Sequence, residues 1–174
     1  MKGTLEQAGP RWRLRFTREL DHPVPRVWQA VTEPAHLEAW FPQRITGDWV
    51  AGAPLTFSDP QGRGPEFSGE VLACEPPSLL EFRWGPDVIR LEIAARGEGE
   101  GCTLTLLDTF DELGKAARDA AGWHVCLEFL ASHLDGTPEP PANMWTKVHP
   151  GYMSSFGPDA SAIGVPAGYQ PTEH

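Results

Sequence analysis

From residue 44 to residue 110 the sequence is a chain of short strand-like segments separated by turns, and one long helical segment follows it. Apolar and polar residues alternate over 44–50, 54–58, 66–74, 79–84, 88–95 and 102–110. The separators are Ala51-Gly52, Pro60 to Pro65, Pro76-Pro77-Ser78, Gly85-Pro86-Asp87 and Gly97 to Gly101, all turn chemistry. Links this short join antiparallel neighbours, because a parallel crossover needs about a dozen residues or more. The apolar series are Phe67 and Val71; Leu80, Phe82 and Trp84; Ile89, Leu91 and Ile93; and Leu104, Leu106 and Phe110. An antiparallel sheet with one buried face is therefore expected.

An earlier strand is read over 11–20, where Trp12, Leu14 and Phe16 alternate with Arg11, Arg13 and Arg15. The arginine run, with Arg18 counted in it, is expected to be the strand's wet face. His22-Pro23-Val24-Pro25 ends the strand, and Pro25 suits the first turn of a short helix. Val24, Trp28 and Val31 share one face of that helix. A second short helix begins at Pro34, carries Leu37 and ends at Trp40-Phe41.

The long helix is placed at 112–135, with Asp111 as N-cap and Gly136 as stop. At 100° per residue, Leu113, Ala116, Ala120, Trp123, Leu127, Leu130, Ala131 and Leu134 fall in one stripe, suited to cover the sheet. Gly122, Val125, Cys126 and Phe129 make a weaker stripe almost opposite. The tail beyond 136 is rich in Pro and Gly yet holds Met144, Trp145, Val148, Tyr152, Met153 and Phe156, too apolar for a solvated linker. Two expectations compete: residues 143–157 fold back over the second stripe, or that stripe forms a homodimer interface. The organisation expected is an N-terminal extension (1–11), one domain (12–136) and a Pro/Gly-rich tail folding back on it (137–174).

Composition closes several routes. The chain of 174 residues has 14 Lys+Arg against 24 Asp+Glu, a net charge of −10. Phosphate backbones and anionic lipid repel such a chain, so neither nucleic acid nor membrane is an expected partner. Apolar runs fall well short of the roughly 20 residues of a membrane helix, and the first residues lack a signal-peptide core, so a cytoplasmic location is expected. Three cysteines and six histidines stand without the spacing of a zinc site or disulfide framework, so no metal and no cofactor is expected.

One strand, two short helices, an antiparallel run and a long C-terminal helix make up the helix-grip layout, an α+β fold. Phe16 to Leu20, Pro25 to Pro34, Leu37 and Trp40-Phe41 resemble the opening signature of the START/birch-pollen-allergen-like (SRPBCC) superfamily. Gly69-Glu70-Val71, Glu75-Pro76-Pro77, Leu80 to Trp84, Thr103 to Leu106, and Gly122-Trp123 with Leu127 and Leu130 extend the resemblance over roughly 12–135. The branch it resembles is that of homologues of the activator of a heat-shock chaperone's ATPase. Where that branch usually has a Gly-Gly pair, this chain reads Gly52-Ala53-Pro54-Leu55. Chaperone activation is not carried over, because only about 11 residues precede the first expected strand.

A curved sheet gripped by one helix is expected to leave an elongated apolar cavity, which the resemblance also implies. The residues expected to line it are Trp40, Phe41, Phe57, Phe67, Phe82, Trp84, Leu106, Phe110, Trp123 and Leu127, with Asp108 and His124 as polar handles. Any single ring is expected to fill the core more often than to line a cavity, while the set together is expected to leave some cavity. Simple alternation points Asp108 inward with Leu104 and Leu106, the alternative being a bulge that turns it to water; if both face inward, Asp108 and His124 are the one acid–base pair that can be constructed. The leading expectation is a protein that binds a small apolar or aromatic molecule without catalysis. The alternatives are a cavity enzyme of the cyclase or hydrolase type, as the superfamily includes, and a co-chaperone-like interaction module.

Overall fold

The computed structural model describes residues 2–165. The chain forms β1 (Thr4–Ala8), β2 (Arg11–Leu20), α1 (Val24–Thr32), α2 (Pro34–Leu37), β3 (Arg44–Thr46), β4 (Pro54–Ser58), β5 (Phe67–Glu75), β6 (Leu79–Trp84), β7 (Asp87–Ala95), β8 (Cys102–Phe110), α3 (Ala116–Asp135) and α4 (Met144–Phe156). The eight strands form one antiparallel sheet in the order β1-β2-β8-β7-β6-β5-β4-β3. This is the helix-grip α+β architecture, with α3 laid across the sheet's inner face.

Inward positions follow strand parity. Leu14 and Phe16 of β2, Leu104, Leu106 and Phe110 of β8, Ile89 and Leu91 of β7, Leu80 and Phe82 of β6, and Leu55 and Phe57 of β4 are all buried. Gly69 lets β5 pass this layer: a Cβ there would lie 2.0 Å from the Arg83 carbonyl oxygen. From the helix side come Trp123, Leu127, Leu130 and Leu134, with Ala116, Ala117, Ala120 and Ala121 allowing close approach near the start of α3. Gly136 ends α3 in the left-handed conformation (φ 65°), as its place after the periodic stretch implies.

Several boundaries differ from expectation for identifiable reasons. Residues 1–11, expected to precede the fold, include β1, which pairs with β2 from Thr4↔Arg15 to Ala8↔Arg11. The strand expected over 44–50 stops at Thr46, because Gly47 (φ 139°) turns against Pro54 and Trp49 donates its indole N–H to the Thr32 carbonyl at 2.7 Å. Asp111 does not cap the long helix. Its carboxylate accepts from Arg11 Nε at 2.7 Å, and a 3-10 turn, Leu113–Lys115, leads into α3 without a side-chain cap.

Arg18 is also corrected. It shares the even parity of Leu14 and Phe16, so it points inward and is only 9% exposed. Its guanidinium lies 5.7 Å from the Phe16 ring centroid and 4.0 Å from Glu128, and its Nε and Nη2 have no hydrogen-bond partner among the described residues. Arg11, Arg13 and Arg15 do lie on the wetter face, paired with Asp111 and Glu6.

After Gly136 the chain returns along α3 as α4. Tyr152 of α4 is buried; its hydroxyl accepts from the Gly3 backbone N–H at 2.9 Å and bonds His124 Nδ1 at 2.8 Å. One phenol therefore joins the tail, the start of the sheet and the long helix. No helix among the described residues is long and apolar enough to cross a membrane.

Candidate functional site

The concavity between α3 and the sheet is occupied by rings. Phe41 lies with its centroid 5.7 Å from Trp123, 6.1 Å from Phe82 and Trp84 and 6.4 Å from Phe57; Phe57 stacks on Phe82 at 6.0 Å and on Phe67 at 5.1 Å. These are contact distances for aromatic pairs. Trp40, packed on Phe41, donates its indole N–H to the Ala30 carbonyl at 2.9 Å. Of the residues expected to line a cavity, Trp40, Phe41, Phe57, Phe82, Leu106, Phe110, Trp123 and Leu127 are thus buried members of the core.

Open space lies on the other flank of α3. A groove of about 570 Å³, within the usual size range for a small-molecule site, runs between that helix, the segment after α2, the β4–β5 loop and the start of α4. Its walls carry Trp84, Trp123, Val125, Cys126, Phe129 and Trp145, with Pro42, Gln43, Arg63, Arg118 and Asp119 also facing it. Gly122 leaves it open: a Cβ there would meet nothing within 4 Å. Two of the expected cavity residues, Trp84 and Trp123, are therefore the ones that reach it, their centroids 5.3 Å apart. The second stripe of the long helix supplies one wall, and Trp145, stacked on His149 at 4.3 Å, stands on another.

Trp84 and Trp123 are each pinned by the indole N–H. Trp84 donates to Gln43 Oε1 at 2.9 Å, and Trp123 donates to Asp108 Oδ2 at 2.9 Å. Asp108 is fully buried, and its Oδ1 has no partner among the described residues. Burial raises its pKa well above the usual carboxylate range; the neighbouring Asp87 charge adds to this and the Trp123 N–H works the other way.

Asp87, Asp108 and Asp119 each bring a carboxylate oxygen within 4.8 Å of the others, the spacing of a metal-ligand set. An ammonium already serves this cluster: Lys115 Nζ lies 2.6 Å from Asp87 and 3.5 Å from Asp119. Arg118 Nε adds a contact of 2.7 Å to Asp119. Burial opposes the charge on Lys115, but its hydrogen bond to Asp87 and the nearby carboxylates outweigh that and raise its pKa. Lys115 and Arg118 thus face the Asp87 and Asp119 carboxylates, with the buried Asp108 carboxyl beside them. A second hollow of about 300 Å³ opens beside this cluster, lined by Phe67, Asp87 and Lys115 and sharing Trp84, Arg118 and Asp119 with the groove.

Asp108 and His124 have different partners, Trp123 and Tyr152, and neither bonds the other. Burial, then the charge of Arg18, lowers the His124 pKa. Cys126 offers no ready nucleophile, since burial pushes its thiol up to about 12.

Gln43 and Arg63 sit in loops, where no periodicity announces them. Arg118 was within reach of the sequence: with Gly122, Val125 and Phe129 it follows the i, i+4, i+7, i+11 spacing of one helical face.

Sheet order, gripping helix and flanking groove define a helix-grip protein of the SRPBCC type. The chain matches the family described as "Activator of Hsp90 ATPase homolog 1-like protein" over residues 21–135, and it belongs to that family. It is similar to the crystal structure of CalU16 from Micromonospora echinospora, with 25% identity, 89% of this chain and 94% of that chain covered and a TM-score of 0.69. It is also similar to DynU16, a protein in the dynemicin biosynthetic locus, with 30% identity over 72% of this chain and 48% of that one and a TM-score of 0.62. A conserved protein of unknown function from Enterococcus faecalis, EF2215, shares the fold at 17% identity, with 88% of this chain and 90% of that chain covered and a TM-score of 0.72. No curated protein matches the chain.

Proposed function

We propose that this protein binds a small apolar or aromatic molecule in the groove beside α3, without performing chemistry on it. The observation that carries this reading is the groove itself, about 570 Å³ bounded by Trp84, Trp123, Phe129 and Trp145 and left open at Gly122. Indole N–H bonds to Gln43 and Asp108 hold two of these rings before any ligand arrives. Preorganised walls reduce the ordering cost of binding. Covering about 150 Å² of a ligand's apolar surface gains roughly 4 kcal/mol before that cost is subtracted. The likeness to CalU16, and to DynU16 of a biosynthetic locus, fits a protein that handles small organic molecules. Two side chains support a binder over a catalyst: burial raises the Cys126 thiol, and the Asp108 carboxyl is buried with Trp123 bonded to it.

The test is quenching of tryptophan emission by 2-methylnaphthalene in wild type and in Gly122→Leu, which fills the groove from an open position. Saturable quenching in wild type, lost in Gly122→Leu at an unchanged melting temperature, is expected. Equal quenching in both proteins, or none in wild type, contradicts the proposal.

A further inference from the structure

The hydrogen-bonding capacity left unused at the groove is almost all of one kind. Gln43 Oε1 is taken by Trp84 Nε1 at 2.9 Å, which leaves the Gln43 amide N–H groups free to donate. Asp119 is shared by two cations, Arg118 Nε on Oδ1 at 2.7 Å and Lys115 Nζ 3.5 Å from Oδ2. The carboxylate of Asp59 receives Arg63 Nε at 3.2 Å. Each carboxylate at this rim therefore already faces a cation. Donors are left over: the terminal guanidinium nitrogens of Arg118 and Arg63 have no hydrogen-bond partner among the described residues. Because Lys115 also compensates Asp119, Arg118 is only partly neutralised by its neighbour.

The groove is polarised along its length. Arg118 stands in the first turn of α3 and Phe129 eleven residues later, about 16 Å along the axis at 1.5 Å per residue. Gln43 and Arg118 both flank Trp84, so donors gather at one end, while Val125, Cys126 and Phe129 make the wall apolar further along α3.

We infer that the groove selects a planar aromatic molecule carrying an anionic acceptor, a carboxylate or a phenolate, seated at the Gln43–Arg63–Arg118 end with its rings along α3. This rests on the groove being the binding site. A guanidinium recognises a carboxylate through two parallel N–H···O bonds, and charge-assisted bonds of this kind are about twice as strong as neutral ones. A cationic ligand must compete with Arg118 and Lys115 for Asp119, the carboxylate that faces the groove there. The chain's overall charge of −10 repels anions at long range, so the preference comes from local contacts and weakens with added salt.

Three probes with one ring system test this: 2-naphthoate, 2-methylnaphthalene and 2-naphthylmethylammonium, each titrated against tryptophan emission. The expected order places 2-naphthoate about tenfold tighter than 2-methylnaphthalene, with the ammonium weakest. Arg118→Gln and Arg63→Gln each reduce the naphthoate affinity severalfold and change that of 2-methylnaphthalene much less. Arg63 is on a loop with its side chain 64% exposed, so its variant keeps the test valid even if Arg118→Gln disturbs α3. Equal affinity for naphthoate and 2-methylnaphthalene, or tighter binding of the ammonium, overturns the inference while the binding groove stands. No binding by any probe overturns both.

Discussion

The two flanks of α3 carry the same kind of residue in opposite circumstances. Toward the sheet, Phe41, Phe57, Phe82 and Trp123 occupy the concavity at centroid separations of 5.7 to 6.4 Å. Toward α4, Trp84, Phe129 and Trp145 border about 570 Å³ of open groove. Trp123 belongs to both, its ring against the core and the groove and its N–H on buried Asp108. Strand parity and helical spacing say which way a ring points. They do not say whether the space it points into is already full.

The contrast is open to attack by substitution. The largest effect is expected inside: Phe57→Ala removes a fully buried ring and should cost about 3–5 kcal/mol in denaturant unfolding. Phe129→Ala, on the groove wall, should cost less than half of that. Equal losses would mean the two flanks are equally packed.

A second attack uses pH at the acid behind Trp123. The Asp108 carboxyl holds its proton more tightly folded than unfolded, chiefly because it is buried. Its contribution to stability is therefore full below the unfolded carboxylate pKa, about 3.9, and is lost as pH rises through the raised folded value. Asp108→Asn keeps an acceptor for the Trp123 indole and removes that loss. Thermal unfolding from pH 4 to 8 should show the variant gaining on wild type as pH rises; parallel curves would mean the carboxyl titrates as it does in water.

Tyr152→Phe should cost about 1–2 kcal/mol, because the Gly3 N–H loses its acceptor in a buried setting and His124 loses its partner. An unchanged denaturation midpoint would show that the phenol does not fasten α4. The smallest change is a gain: Gly122→Ala, with open space at its Cβ, should stabilise α3 by about 0.5–1 kcal/mol. A loss at this position would mean the groove wall is tighter than described.

Much of this fold was legible because alternation in β6, β7 and β8 and the 3.6-residue spacing of α3 are direct records of burial. β1 was missed because a five-residue edge strand, Thr4–Ala8, buries too little for its pattern to stand out from a loop, although Gly9-Pro10 marks its turn. The inward position of Arg18 was legible from parity with Leu14 and Phe16, yet its charge argued for water and prevailed. Trp84 and Trp123 emerged from the sequence as ring positions, and the Gly122, Val125, Cys126 and Phe129 stripe as a second apolar face to be covered by the tail or by a second copy. Gln43 and Arg63 could not emerge, since loop residues reach a site through backbone paths that no periodicity encodes. That the rings would fill the interior and leave the outer flank open depends on how their side chains interlock.

The most direct measurement follows the indole N–H signals of ¹⁵N-labelled protein during titration with 2-methylnaphthalene. The account predicts that Trp84, Trp123 and Trp145 shift together and saturate, while Trp40, its N–H held by the Ala30 carbonyl inside the core, stays in place. Movement of Trp40 with Trp84 and Trp145 unmoved would place the ligand between helix and sheet and contradict the account.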